Sequence, residues 1–430
     1  MPTLKVNLGS LELDSPIIIS SGDVARHEVG IRKCDQFRPG AIVLKTTLIE
    51  KEFSQVLKPC QSGQYPEAHA RYLWHDGAMI GYGSPSHMPI EGWADWLKAH
   101  KKEIRTPLIG NVIGISVEGF VQGAMMLQEA GADAIELNYG CPSPLFRRFP
   151  YTGPFDKNIL REILQAVRAV ISIPLGVKTG SFPWSPRLAE EIGLDYICIN
   201  SIDRGQPPID IEKIKPRTPA AYGVCGSSSA KYRNYLTLTR VADLIRNIHI
   251  STCGGVQKWQ DIIEYIMYGA SSVQAQTLFV RKGAKIIPEF KQAMLDYMER
   301  HGFNTIDEMK GIIIPQIMST DQIINVYDQT KGVVIAEVDN SKCNGCGVCE
   351  DTCYYDAISV KDGMAMVDDE LCQGCGACVM NCPVEAVSLR NLDLLIELGR
   401  QWAEQYAPHF VELGTVAYDP RDVKKYWQKQ

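Results

Sequence analysis

Residues 134–179 contain the stretch that decides the fold: AIELN at 134–138, a helical pattern KNILREILQAVRAVI at 157–171, and PLGVKT at 174–179. The two outer runs are short and mostly apolar, as strands buried on both faces should be, and the segment between them spaces its apolar residues along one helical face. The same kind of run recurs on either side: PIIISS at 16–21, AIVLKT at 41–46, LIGNV at 108–112, YICINS at 196–201, IHISTC at 248–253 and SVQAQT at 272–277, eight in all. A further helical pattern lies at 259–268. Eight strands alternating with helices point to an α/β fold of the closed (β/α)8 barrel type. The competing open sheet would carry a Gly-x-Gly-x-x-Gly turn after an early strand, and none follows one here.

Polar residues and glycines gather at the C-terminal ends of these runs: Ser21-Gly22, Lys45-Thr46, Asn138, Lys178, Asn200-Ser201 and Gly254-Gly255. Packing alone would favour apolar side chains there, whereas barrel enzymes build their active sites at that end.

The character of the chain changes after about residue 302. We expect a barrel over 1–302, a connecting region over 303–335, a cysteine domain over 336–390, and a C-terminal helix and tail over 391–430. Two runs in the cysteine domain match C-x2-C-x2-C-x3-C. Cys343, Cys346, Cys349 and Cys353 form the first; Cys372, Cys375, Cys378 and Cys382, followed by Pro383, form the second. This spacing suits a two-[4Fe–4S] ferredoxin-like domain, in which the fourth cysteine of each run serves the other cluster. We therefore expect Cys343, Cys346, Cys349 and Cys382 on one cluster, and Cys372, Cys375, Cys378 and Cys353 on the second. Glycines 345, 347, 374 and 376 let the backbone turn close to the sulfurs. Zinc would normally show paired knuckles without the third cysteine.

The whole chain has 430 residues, a net charge of -6 and 14 cysteines, six of them scattered upstream of the two runs. The acidic balance argues against nucleic acid or membrane as a partner. The N-terminus carries no secretory pattern, no run of about 18 apolar residues suggests a membrane span, and the cysteines read as metal ligands in a reducing, cytoplasmic setting. Most of the scattered cysteines read as small buried hydrophobes.

Residues 136–142, ELNYGCP, end a strand and enter a loop, which places Asn138 and Cys141 at the barrel mouth. With the strand-end residues above and the closing VQAQT at 273–277, this resembles the dihydroorotate and dihydropyrimidine dehydrogenase family. The barrel followed by a twin-cluster domain looks most like the FMN and iron–sulfur catalytic subunits of bacterial NAD-dependent dihydropyrimidine dehydrogenase. The resemblance implies FMN over the barrel mouth, with Ser21, Gly22, Lys45, Asn138 and Lys178 around its ring system and Thr46, Asn111 and Asn200 among its further contacts. Gly226, Gly254, Gly255, Gln276 and Thr277 would cradle its phosphate. Cys141 would be the acid that protonates one carbon of an activated C=C bond, and a thiol of pKa about 8.5 holds such a proton at neutral pH. Asn138, Asn200, Ser201, Arg147 and Arg148 would border a small cyclic substrate.

Two features depart from the family pattern. Tyr139-Gly140 stands where relatives carry Leu-Ser or Phe-Ser, and the loop SPLFRRFPYTGP at 143–154 brings Arg147 and Arg148. Paired arginines favour carboxylate or phosphate, while the plainer reading is a solvated surface. The Asn-x-Gly-Cys-Pro form is also similar to tRNA-dihydrouridine synthases, which lack the twin-cluster domain. A relay subunit with a structural barrel would not need Lys45, Cys141 and Lys178 together. Clusters beside a flavin make sense as a wire to another protein. The resemblance therefore implies an FAD- and NAD(P)-binding partner subunit, or failing that a ferredoxin, and an oligomeric assembly.

Overall fold

The computed structural model of the chain describes residues 2–47, 49, 72–75, 78–81, 90–140, 156–180, 184–200, 203–205, 208–217, 223–241, 247–317, 326, 329–330 and 332–406. It divides into two compact units, Met1–Ile314 and Pro315–Gln430.

The first unit is built on eight strands: β1 (Ile17–Ile19), β2 (Ala41–Val43), β3 (Leu108–Val112), β4 (Ala134–Asn138), β5 (Leu175–Thr179), β6 (Tyr196–Asn200), β7 (His249–Cys253) and β8 (Ser272–Ala275). They close into a barrel in chain order, with every neighbouring pair parallel. Each of the eight apolar runs read from the sequence is one barrel strand. A helix follows each strand: α1 (Glu28–Asp35), α2 (Ile90–His100), α3 (Val117–Glu129), α4 (Lys157–Arg168), α5 (Trp184–Ile192), α6 (Ala230–Val241), α7 (Trp259–Met267) and α8 (Thr277–Lys282). The helix α9 (Ile287–His301) then packs on the outer layer and ends at Gly302.

Helix α4 shows how local sequence sets these elements. Asp156 caps its first turn by accepting from the backbone N–H groups of Asn158 and Ile159. Leu160, Ile163, Leu164 and Val167, spaced three and four apart, are all buried. The strands bury both faces, so β3 and β5 carry no exposed position.

Two additions could not be read from the sequence. A hairpin of Val6–Leu8 and Leu11–Leu13 lies against the N-terminal ends of β6 and β7, where the Gly9 N–H donates to His249 Nδ1 at 3.0 Å. A four-stranded antiparallel sheet joins Tyr72–His75, Ala78–Gly81, Gly223–Ser227 and Asp203–Gly205. Its strands come from the connections after β2 and β6, so it belongs to the C-terminal face of the barrel.

The second unit pairs β9 (Ile335–Val338) with β12 (Val387–Arg390), and β10 (Ile358–Lys361) with β11 (Met364–Val367). Each cysteine run leads into a short helix, α10 (Val348–Asp351) and α11 (Ala377–Asn381). The helix α12 (Leu392–Tyr406) follows β12. Ile335, Ile358 and Val387 form a small core with Cys349, Cys372 and Cys378. Among the described residues no helix is long and apolar enough to cross a membrane.

Candidate active site and cysteine cavities

The C-terminal ends of β1, β2 and β4 are tied together by side chains. Ser21 Oγ accepts from the Thr46 N–H at 2.9 Å and lies 3.0 Å from Thr46 Oγ1. Thr46 Oγ1 in turn accepts from Asn138 Nδ2 at 2.9 Å. Lys45, the residue before, is buried, with its ammonium 3.8 Å from Asp23 Oδ1. Gly22 lies against Gln276, since a Cβ there would come within 2.2 Å of the Gln276 side chain. Ser21, Gly22, Lys45, Thr46 and Asn138 thus stand at one rim, and Gln276, expected among the phosphate contacts, lies against Gly22 there.

Below this rim runs a buried polar chain that the sequence reading missed in part. Asn111 Nδ2 donates to Glu136 Oε1 at 2.8 Å, and Gln274 Nε2 donates to Glu136 Oε2 at 2.5 Å. Lys178 Nζ donates to Gln274 Oε1 at 2.8 Å and to Ser20 Oγ at 2.9 Å. Asn111 and Lys178 were expected at the site; Ser20, Glu136 and Gln274 were not. The only signal for them was a carboxylate in the middle of an otherwise apolar strand, AIELN. Glu136 is wholly buried. Burial pushes its carboxyl up, against the pull of Lys178 and the amides of Gln274 and Asn111. Burial alone would push the Lys178 ammonium down, but the sulfurs of Cys253 and Cys198 and the Glu136 carboxylate outweigh it and hold Lys178 above its ordinary range.

The connections after β7 and β8 form the other side of the mouth. Gly254 and Gly255 have φ of 125° and 75°, a region that only glycine enters freely. A Cβ on Gly255 would lie 2.5 Å from the Lys231 backbone N. Lys231 is locked to Asp261 at 2.5 Å, and the Tyr265 hydroxyl donates to the Gly254 carbonyl at 2.7 Å, so helices α6 and α7 fix the loop. Gly226, on the added sheet, leaves room for Thr277, whose Oγ1 would sit 2.3 Å from a Cβ there. The crowding leaves no space for a Cβ at Gly226 or Gly255.

Two observations fit a bound flavin. Among the described residues, the buried side-chain oxygens of Asn111 and Asn200 accept no hydrogen bond. An unmet buried acceptor costs about 1–3 kcal/mol, so both call for a donor that a bound group would bring. Cys141, Arg147, Arg148 and Ser201 lie outside the described residues.

In the second unit each set of four cysteines surrounds a cavity. One is lined by Cys343, Cys346, Cys349 and Cys382. The other is lined by Cys353, Cys372, Cys375 and Cys378. The fourth cysteine of each run therefore faces the cavity of the other run. Among the described residues no three such side chains converge on one point as around a single ion. A shell around a cavity suits a body of several atoms, and four thiolates per cavity match a cubane cluster. Gly345, Gly347, Gly374 and Gly376 all have φ between 64° and 83°. At Gly345 and Gly374 a Cβ would strike a backbone carbonyl, of Gly363 and Val334 respectively.

Comparison with known proteins agrees with this geometry. The dihydroorotate dehydrogenase family model matches residues 82–298, and a 4Fe-4S dicluster domain model matches residues 336–389. The chain belongs to the dihydroorotate dehydrogenase family, a family of FMN-binding oxidoreductases, and adds to it a 4Fe-4S dicluster domain. It is 27% identical over 319 residues to the catalytic subunit of dihydroorotate dehydrogenase B (NAD(+)) from Bacteroides fragilis, a match covering 73% of this chain and 99% of that one. The corresponding subunit from Methanothermobacter thermautotrophicus is 27% identical over 72% of this chain and 98% of its own length. The NAD-dependent dihydropyrimidine dehydrogenase subunit PreA of Escherichia coli is 25% identical over 57% of this chain and 61% of its own.

Proposed function

We propose that this chain is an FMN- and iron–sulfur-dependent enzyme that forms or reduces an activated C=C bond in a small cyclic substrate, and that it exchanges electrons with a partner protein through two [4Fe–4S] clusters. The observation that carries this reading is the gathering of Ser21, Thr46 and Asn138 at the barrel mouth, above the charged Lys178, in a chain that also holds two four-cysteine cavities.

FMN, when bound, supplies hydride chemistry at the barrel mouth. Lys178 would hold positive charge beside the part of the ring system that becomes anionic. Gly226, Gly254, Gly255 and Thr277 would hold the phosphate. Asn138 and Asn200 would fix polar edges of the substrate. Cys141 would give its proton to the ring carbon beside the one that exchanges hydride, or take that proton in the oxidative direction. Arg147 and Arg148 would bind an anionic part of the substrate. Residues 1–302 carry this chemistry and 336–390 the clusters, with 303–335 between them. The clusters pass single electrons, so the partner would be a subunit with FAD and NAD(P) sites, or a ferredoxin. The relatives named above are themselves subunits, which supports an assembly of this kind.

The test is anaerobic purification with analysis of iron, sulfide and flavin, then a screen of flavin bleaching and reoxidation against pyrimidines, orotate, cyclic imides and cyclic enones. About eight irons and one FMN per chain, with turnover of one compound class, would support the reading. A preparation with zinc and no acid-labile sulfide would overturn it.

A further inference from the structure

Glu136 is the one carboxylate sealed inside the barrel among the described residues, and no step of the proposed reaction uses it. Its two oxygens both accept, from Asn111 Nδ2 at 2.8 Å and from Gln274 Nε2 at 2.5 Å. A carboxyl group that accepts at both oxygens is satisfied in its ionised form. The Gln274 amide then has its oxygen turned to Lys178 Nζ at 2.8 Å. Gln274 thus stands between two opposite charges with its donor end on the negative one and its acceptor end on the positive one. No other orientation of the amide satisfies both neighbours.

We propose that Glu136 is a positioning residue that acts through Gln274 to keep Lys178 charged and fixed beneath the barrel mouth. The inference rests on the reading of Lys178 as a flavin-facing group. Desolvation inside a barrel disfavours a lone ammonium. The groups that face Lys178 come from five strands: Ser20 on the β1 side, Glu136 on β4, Cys198 on β6, Cys253 on β7 and Gln274 on β8. Those that face Glu136 are Asn111, Gln274, Lys178, Cys198 and Tyr196. Cys198 is raised well above the usual thiol range, chiefly by burial, and Tyr196 likewise above the usual phenol range. Glu136 is the carboxylate among the groups that face Lys178, and it acts beside the Cys253 and Cys198 sulfurs. The carboxylate compensates the ammonium from the far side of an amide, so the lysine keeps its charge without being neutralised by direct contact.

The test uses Glu136→Gln, Lys178→Met and their combination in the full chain. Glu136→Gln keeps the shape of the side chain and an oxygen for Gln274 to donate to. It removes the negative charge. The first readout is thermal melting, which needs no flavin. Each single change should lower the melting midpoint, and the double variant should melt above the value expected from adding the two losses, since removing both members of a buried pair is tolerated better than removing one. The second readout is the visible spectrum of bound flavin against pH. Wild type should show no transition between about pH 6 and pH 10, while Glu136→Gln should acquire one, because burial can depress an unpaired lysine by up to about 3–5 units. Glu136→Asp should restore part of the wild-type profile. Additive melting losses, or a Glu136→Gln protein that titrates as wild type, would overturn the proposal. A wild-type chain that binds no flavin would refute the functional reading instead, and the melting comparison would still decide whether Glu136 and Lys178 are coupled.

Discussion

The Asn138 side-chain amide donates to Thr46 Oγ1 across 2.9 Å, and that bond joins the end of β4 to the segment after β2. Thr46 also holds Ser21, so one hydroxyl organises three strand ends. Thr46→Val keeps the branched shape and deletes the hydroxyl, leaving partly buried donors unmet at a cost of about 1–3 kcal/mol. If about 1.4 kcal/mol of that falls on flavin binding, the FMN dissociation constant rises about tenfold. Fluorescence titration of the flavin-stripped protein measures it, and Thr46→Ser should recover most of the loss. Unchanged affinity in Thr46→Val would separate this rim from the flavin.

Gly255 supplies a second prediction. Its φ of 75° costs a residue with a Cβ about 1–2 kcal/mol, and the added carbon would meet the Lys231 backbone, which the ion pair with Asp261 keeps in place. Gly255→Ala should weaken FMN far more than riboflavin, because only FMN presents a phosphate to this loop. Equal losses for the two flavins would show that the loop does not hold the phosphate.

Cys141→Ala should leave FMN bound and reducible while turnover falls by about 10²–10⁴-fold, the usual share of general acid–base catalysis. Stopped-flow observation of the two half-reactions separates the outcomes. An unaltered rate of the substrate half-reaction would mean that another group moves the proton.

The barrel was legible because burial on both faces forces each strand into a short apolar run, and no other element of this length reads that way. The rim residues were legible for the complementary reason: Lys45 and Asn138 break the apolar pattern at strand ends, as Lys178 does below them. Gln274 and Glu136 were harder, since their bond joins positions 138 residues apart and neither residue alone signals a partner. The added sheet was invisible for the same reason, as it assembles strands from two distant connections. Tyr139 was read only as a departure from the family pattern. In the structure its ring is buried and its hydroxyl donates to the Asp156 carbonyl at 3.2 Å, which links the end of β4 to the cap of α4.

Stability should depend on pH through His249. Burial, aided by the nearby Lys310, depresses its protonation, and its Nδ1 accepts from the Gly9 N–H, which only the unprotonated nitrogen can do. Below the ordinary histidine value of about 6.5 the unfolded chain takes up a proton that the folded chain refuses, so stability falls as pH drops through that range and gains nothing further above it. His249→Gln keeps an acceptor for Gly9 and cannot titrate. Its melting midpoint should fall less than that of wild type between about pH 7.5 and pH 5.5. Parallel pH profiles would show that His249 does not contribute.

The cysteines yield the sharpest test, because cavity and run disagree about which four act together. Cys353 belongs to the first run but lines the cavity of Cys372, Cys375 and Cys378; Cys382 belongs to the second run but lines the cavity of Cys343, Cys346 and Cys349. If ligation follows the cavities, Cys353→Ala should lower iron from about eight to about four per chain. Adding Cys375→Ala should then remove nothing more, since both changes empty the same cavity. Adding Cys346→Ala should instead remove the remaining iron, although Cys346 and Cys353 share a run. Ligation by run gives the reverse pattern, with Cys346→Ala silent and Cys375→Ala additive. Iron and sulfide analysis of these two double variants, with electron paramagnetic resonance of the reduced proteins to confirm which cluster survives, decides between the two without any knowledge of the substrate.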